Sequence, residues 1–436
     1  MCGAGNQEAV ISVKLLVFIT ALAVAGLRVS AQSAPPQAIS IEQAVQEAIQ
    51  NNPGLLAERL GIPVAETALI TARLRPNPVV SASSDHLDWL GTGFSDVNGA
   101  GPTETALRID VPFERGHKRE YRVDTAGFAK KIAEAKVADA IRRLRLDVTQ
   151  ACIDVMAAKA RLDLANDNLT SFEGIVKVNE TRLQGGAIPP IELTRSRVAM
   201  LQFGSSVKTA ELALTTARIR LQTLLGRAPG QSPIDISDPM KVPVPAQAPA
   251  LEQMQARALT LRPDIEAARL DQARSQSELR LQLAQGKVDY TVGAEYRRQQ
   301  GVNGTGNSVG FFVSVPLPVF NKNQGEIARV QAEETQLQKQ IDALQSQVSG
   351  EVAGAYREFE TARQLIGDIE RDLLGLSQEA RTTTTYVYQA GAGSLLDVLD
   401  AQRAFNDTMS TYYEAQADYR RAVSRLASVV GEEMVR

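Results

Sequence analysis

Few side chains in this 436-residue sequence could make or break bonds. Only two histidines occur, His86 and His117, and neither has a partner at metal-ligand spacing. One falls in a stretch that reads as a loop, the other near a helix start, and both suit an exposed surface. Cys2 and Cys152 are the only thiols. Cys152 lies among Val148, Val155 and Met156, which suits a small buried apolar residue. No glycine-rich phosphate loop is present, so an energy source would have to lie in a partner. Two carboxylates stand apart from these, Asp397 and Asp400. Ser394-Leu395-Leu396-Asp397 has the spacing of a capping box, with Asp in place of the usual Glu, and a carboxylate there suits the helix dipole. Capping does not account for Asp400, one turn further in. No catalytic residue, metal ligand or cofactor site is expected.

The elements that carry these residues are long helices. No proline occurs between Glu114 and Ile188, nor after Val319. A 3-4 apolar rhythm runs through Ile141, Leu144, Val148, Ala151, Val155, Ala158, Leu162, Ala165, Leu169, Phe172 and Val176. A second runs through Ile341, Leu344, Val348, Val352, Ala355, Phe359, Ala362, Ile366, Ile369, Leu373, Leu376 and Ala380. Such patterns predict coiled-coil packing. A helix from about His117 to Leu183 would extend about 100 Å. Turns at Gly185–Pro190 and Gly391–Gly393 reverse the chain, and return helices end near Gly226 and Gly431. The expectation is two long helical hairpins.

The hairpins belong to a repeat. Gln184–Leu193 is answered by Gln389–Val398, Gly226 by Gly431, Asn52-Pro53 by Arg262-Pro263 and Val111-Pro112 by Val315-Pro316, all about 205 residues apart. The expected organisation is a signal peptide at 1–31, a first repeat at 32–227, a proline-rich connector at 228–250 and a second repeat at 251–436. The signal rests on Lys14, the apolar run Leu15–Leu27 and Val29-Ser30-Ala31 before a cut at Gln32. Glu8, with the amino terminus as the single positive charge before Lys14, points to a start further into the chain. Cys2 would leave with the signal, so no disulfide within the chain and no lipoprotein cysteine is expected. The formal net charge is −3, which leaves no basic surplus for a nucleic-acid partner.

Before each hairpin the period changes to two. In Lys287–Arg297, residues Val288, Tyr290, Val292, Ala294 and Tyr296 share one face. Ser308–Val315 and Glu104–Val111 alternate likewise, and Asn77–Asp85 is a weaker fourth strand. Ser81–Pro102, with Trp89, and Gly301–Asn307 read as exposed loops. A soluble sheet with one face on a core would explain the alternation. Combined with export and giant hairpins, it points instead to a transmembrane barrel. Four strands cannot close one, and open edges in lipid would leave backbone groups unpaired. Two copies would give a barrel filled by side chains, and three would leave a channel, so a conduit calls for a homotrimer.

Ile41–Pro53, the duplicated halves, and Tyr388-Gln389-Ala390-Gly391 leading into Leu395-Leu396-Asp397-Val398-Leu399-Asp400-Ala401 resemble the TolC-like outer membrane efflux family of Gram-negative bacteria. The resemblance covers nearly the whole chain after the signal. It implies a mainly α fold: coiled-coil hairpins forming a periplasmic tube, with four strands per chain contributing to a trimeric twelve-stranded outer-membrane barrel. It also implies docking of the tips, at Gly185, Gly186, Gly391 and Gly393, onto a periplasmic adaptor (membrane fusion protein) beneath which sits an inner-membrane pump of the RND type. Asp397 and Asp400 match acidic positions at the narrow periplasmic mouth, so Asp397 carries both a cap and a gate reading. Gly393 stands where some relatives have a latching arginine, and Glu192 and Arg195 occupy the matching places in the first repeat. Val315–Ile327 resembles the heavy-metal cation branch. The function implied is a passive outer-membrane exit duct for heavy-metal cations. A duct for drugs or secreted proteins is the alternative within the fold, and a periplasmic adaptor the alternative from another class.

Overall fold

The computed structural model describes residues 37–87, 89–91, 93, 103–228, 232–244, 250–301 and 304–432. The expected signal peptide and half of the expected loop Ser81–Pro102 lie outside the described residues. Strand β1 (Gln37–Ile39) leads into helices α1 (Ile41–Asn51), α2 (Pro53–Arg59) and α3 (Gly61–Arg73). Strands β2 (Val79–Asp85) and β3 (Glu104–Phe113) precede the first hairpin, α4 (Lys118–Gln184) and α5 (Pro190–Leu224). After strand β4 (Ile234–Ile236) the order recurs: α6 (Leu251–Leu261), α7 (Pro263–Gln285), β5 (Tyr290–Gly301) and β6 (Gly304–Ser314). The second hairpin is α8 (Gln324–Asp368), a π-helical turn (Ile369–Leu373), α9 (Leu374–Gln389) and α10 (Leu395–Val430). Helix α4 is 67 residues long, as the unbroken rhythm requires.

Paired positions of the repeat turn out to be one recurring contact. Helix α5 ends on Gly226 (φ +71°) and α10 on Gly431 (φ +82°). At each, two backbone amides fold back onto the last turn: Arg227 to Gln222 and Gly226 to Thr223, Glu432 to Ala427 and Gly431 to Ser428. A Cβ on Gly226 would lie 2.3 Å from the Asn51 carbonyl oxygen, and one on Gly431 would lie 3.2 Å from the Leu261 carbonyl carbon. Asn52 Nδ2 donates to the Leu224 carbonyl at 2.9 Å, and Arg262 Nη1 donates to the Val429 carbonyl at 3.4 Å. The residue before each proline thus closes the end of its own return helix.

Apolar seam residues of the upper hairpins are buried as expected. Leu144, Val148, Ala151 and Val155 pack with α1, α5 and β4, and Val348, Val352, Ala355 and Phe359 pack with Tyr419, Ala422 and Leu426. Three expectations need correction. The connector is more than a linker, because β4 is fully buried and pairs in parallel with β1 (Ala38 opposite Asp235). Gly301–Asn307 is mostly strand, since β5 reaches Gly301 and β6 begins at Gly304. The second apolar stripe leaves the seam below Ile369: Leu373, Leu376 and Ala380 are exposed, Leu376 to 68%. The π-helical turn is the cause. It places one extra residue in the helix and rotates everything below it by about one residue, roughly 100°.

Arg262 is 4% exposed and bonds Asp264 and Glu351 at 2.6 Å. Burial alone would raise both carboxyls, but the Arg262 hydrogen bonds and charge outweigh it and hold them below their ordinary values. This stabilisation is complete above the ordinary carboxylate range and is lost as pH falls through the depressed folded values. Arg262→Ala is expected to destabilise the detergent-solubilised protein by about 3 kcal/mol, because it strands two partly buried carboxylates. Asn52→Ala is expected to cost about 1 kcal/mol. In thermal melts the gap between wild type and Arg262→Ala should narrow below about pH 4.

Candidate functional site

The four long strands form one antiparallel sheet in the order β2-β3-β5-β6. Register puts Ile109, Ala294 and Phe311 on one face and Asp110, Gly293 and Phe312 on the other. The apolar face is the exposed one. Leu107, Ile109, Tyr296, Val309 and Val313 lie open, and Phe311 is 82% exposed. The charged face is shielded by its own ion pairs, with Glu295 only 9% exposed. Arg108 Nε bonds Asp110 at 2.8 Å and its guanidinium lies 4.3 Å from the Phe312 ring centre. Arg297 bonds Glu104 at 2.8 Å and Glu295 at 2.9 Å. Gly293 makes room for this lattice, since a Cβ there would sit 2.3 Å from Asp110 Oδ1. A sheet folded on a soluble core would show the reverse, and this one is a wall with apolar outside and charged inside.

At the far end of the hairpins, Gly186 (φ +72°) and Gly391 (φ +86°) take the left-handed turn conformation. Ala187 N–H donates to Arg182 and Gly186 N–H to Leu183, and Ala392 and Gly391 donate to Val387 and Tyr388 in the same way. Gly185 is the α4 cap at φ −80° and needs no special freedom. Gly393 is small for a packing reason, because its Cβ would meet Tyr388 N and Val387 Cγ1 at 3.2 Å.

The structure ties the two tips together through residues the sequence reading did not single out. Arg182 Nη2 donates to the carbonyls of Tyr388 at 3.0 Å and Gln389 at 2.8 Å, at the C-terminus of α9. Its guanidinium stacks 5.2 Å from the Tyr388 ring centre. Tyr388 Oη donates to Asn179 Oδ1 at 2.7 Å in a buried pair, and Asn179 Nδ2 is buried without a hydrogen-bond partner among the described residues. Higher up, Gln402 Nε2 donates to Asn168 Oδ1 at 2.8 Å, also buried. The signal available in the sequence was Asn168 and Asn179, polar residues beside an apolar stripe.

Asp397 forms the expected cap: Ser394 Oγ accepts from Asp397 N at 3.2 Å and Asp397 Oδ2 accepts from Ser394 N at 3.3 Å. Asp400 has no part in it. It is exposed beside Asp397 on α10, opposite the buried Leu395, Val398 and Gln402, and its contact with Arg403 is 3.4 Å long. Cys152 is buried and free, and burial pushes its thiol up to about 12, which makes it inert. His86 and His117 both take positive φ, and His117 is 4.0 Å from Glu120. No group of three or more metal-ligating side chains forms among the described residues. None of their helices is long and apolar enough to cross a membrane.

The sequence profile described as outer membrane efflux protein matches residues 44–227 and 255–432. The chain belongs to the outer membrane efflux protein family. Among curated relatives it is 24% identical to the cobalt-zinc-cadmium resistance protein CzcC of Cupriavidus metallidurans, over 90% of each chain. It is 23% identical to nodulation protein T of Rhizobium leguminosarum over 91% of this chain and 84% of that one. It is 24% identical to the cation efflux system protein CusC of Escherichia coli over 78% and 76%. Its fold matches the crystal structure of CusC with a TM-score of 0.72 at 18% identity, over 91% of this chain and 94% of that one. The outer membrane protein VceC of Vibrio cholerae matches at 0.69 and 17%, over 91% and 97%. An outer membrane efflux protein is a passive channel rather than an enzyme. The outward apolar wall is then the lipid-facing part, and the hairpins are the periplasmic part.

Gly391→Val places a β-branched residue at φ +86° and should destabilise the second tip by about 1–2 kcal/mol. Hydrogen exchange of the Tyr388–Ala392 amides should accelerate, while that of the sheet stays unchanged. Gly185→Ala, at a helical φ, should leave exchange at the first tip as it is.

Proposed function

We propose that this protein is the exit duct of a tripartite efflux system, closed as a homotrimer. Its tips, at Gly185, Gly186, Gly391 and Gly393, would dock onto a periplasmic adaptor above an RND-type inner-membrane pump. The observation that carries the reading is the four-stranded wall, apolar outside and ion-paired inside, with β2 and β6 left as edges. Edges in lipid need partners, and three copies give a twelve-stranded wall around a lumen. The same outward apolar face and the family membership set aside a soluble adaptor.

The proposed cargo is heavy-metal cations. Support comes from the length of the match to CzcC, nine-tenths of both chains. Nodulation protein T matches over a similar span, so export of other cargo is the alternative that deletion-strain profiling addresses. Sensitivity of the deletion strain to divalent cations, rescued by the gene, is the expected result. Sensitivity to organic drugs alone would replace the metal reading.

The proposed gate is the exposed pair Asp397 and Asp400. Three copies would bring six such carboxylates to one mouth, where mutual repulsion favours bound cations. Asp397 also caps α10, so Asp400 is the cleaner probe. Purified protein in mild detergent should have a mass near three protomers. In planar bilayers Asp400→Asn should weaken cation preference and block by multivalent cations, with trimer stability nearly unchanged. Wild-type selectivity and block in this variant would remove Asp400 from the gate.

A further inference from the structure

The π-helical turn at Ile369–Leu373 interrupts only the second hairpin. The matching stretch of the first, Leu164–Asn168, is regular α-helix. Below the turn the inward positions of α9 are held by Leu374, Ser377, Arg381 and Tyr388, with Arg381 over the Phe405 ring at 3.9 Å. Tyr388 is the only fully buried residue of α9. An apolar residue lies one position earlier at each of these four slots, while the slot between Arg381 and Tyr388, at Thr384 and Thr385, is threonine in either register. Leu373 precedes Leu374, Leu376 precedes Ser377, Ala380 precedes Arg381 and Val387 precedes Tyr388. A one-residue shift would therefore replace Ser, Arg and Tyr in the seam by Leu, Ala and Val. The observed register is held instead by Arg381 on the Phe405 ring, by the place of Tyr388 in the apolar cluster with Phe172, Ile175, Leu395 and Val398, and by the polar contacts at the tip, from Asn179 and Arg182 to Tyr388 and Gln389.

We propose that the π-helical turn is a register switch for the lower arm of hairpin two. In the second register the turn relaxes to α-helix. Leu373, Leu376 and Ala380 then enter the seam, and Tyr388 rotates away from Asn179 and Arg182. The arm turns by about 100° and advances about 1.5 Å toward the tip. The extra residue passes into Ala390-Gly391-Ala392-Gly393, whose small residues can take it up. The upper arm stays fixed. Glu370, near the top of the turn, accepts from Lys241 and from Tyr412 Oη, both at 2.8 Å, so the connector and α10 pin the helix there. The proposal rests on the reading of this end of the tube as the periplasmic gate: burial of the Leu373, Leu376 and Ala380 stripe favours the released arm, and the contacts of Arg381 and Tyr388, together with the polar tip latch, favour the held one.

Three sets of variants test it by conductance in planar bilayers. Leu373→Gln/Leu376→Gln changes side chains exposed in the observed register and buried in the second. Each lost burial should shift the population about tenfold or more toward the held state, so open probability should fall with assembly intact. Deleting Leu373 removes the extra residue while keeping the facing on both sides, and should lock the arm closed. Leu365→Gln, exposed but above the turn, should conduct like wild type. Wild-type conductance in the Leu373/Leu376 pair and in the deletion would overturn the switch. So would loss of assembly in Leu365→Gln and Leu376→Gln alike, which would make the stripe a subunit contact. Arg182→Ala separates the two readings by removing the latch. If it leaves conductance unchanged, the gate reading fails. If it raises conductance and the Leu373/Leu376 pair does not suppress the rise, the gate stands and the register switch fails.

Discussion

An unpaired strand edge cannot stay in hydrocarbon, and that constraint organises this molecule. Each chain supplies four strands whose outward face is apolar, and each exposed backbone group in lipid would cost several kcal/mol. The sheet therefore has meaning only as a segment of a larger closed wall. The inner face shows what such a wall must do with its charges. Arg108 and Arg297 are each held by neighbouring carboxylates along or across strands. The lattice keeps long side chains flat against the sheet, and Gly293 gives it room. A charged wall arranged this way stays wet without projecting free arginines into the passage.

The helical part answers a different problem, how to hold helices of this length in register. The upper hairpins rely on apolar clusters and on the two repeated end contacts, where Asn52 and Arg262 close the helices that end at Gly226 and Gly431. The two repeats solve one geometry with different chemistry. Asn52 needs no counter-charge, whereas Arg262 brings Asp264 and Glu351 with it. Toward the tips buried polar pairs enter the seam, Asn168–Gln402 and then Asn179–Tyr388, beside a small apolar cluster of Phe172, Ile175, Leu395 and Val398. Buried polar pairs fix register at a cost in stability.

Much of this was legible in the sequence, and the failures have a common cause. Strands β3, β5 and β6 and the 67-residue helix follow from periods of two and 3.5, which are local properties. The glycines at 186, 226, 391 and 431 announced their turns because only glycine adopts that backbone freely. The capping box at Ser394 and Asp397 is local as well. What escaped was set by tertiary partners. Ile234–Ile236 reads as part of a proline-rich linker, and only β1, nearly two hundred residues away, makes it a strand. Arg182 looks like any helix-surface arginine until α9 places two carbonyls in its reach. The π-helical turn is the sharpest case, because the sequence pattern runs straight through it.

That conflict between pattern and register carries information about energy. A helix normally presents its apolar stripe to its partner, because burying each large side chain stabilises the fold by about 1.5–3 kcal/mol. Here Leu373 and Leu376 face outward while Ser377 and Arg381 face in. Something must offset the forgone burial, and the contacts below the turn that can do so are Arg381 on the Phe405 ring, the apolar cluster around Tyr388 and the polar contacts at the tip. Hydrogen bonds from Tyr388 to Asn179 and from Arg182 to two carbonyls, with the Arg182–Tyr388 stacking, are of the right size to compete, at about 1 kcal/mol or more each. Two opposing terms of similar size leave a small difference between registers. Local opening then needs far less free energy than unfolding the hairpin. Asn179 Nδ2, without a hydrogen-bond partner among the described residues, reduces the margin further, since a buried unpaired donor is unfavourable in the held register and free to find water once the tip separates. Hairpins stiffened by large apolar clusters at mid-height and tied by a smaller cluster and polar contacts near their tips are weakest near the tips, where the proposed gate lies.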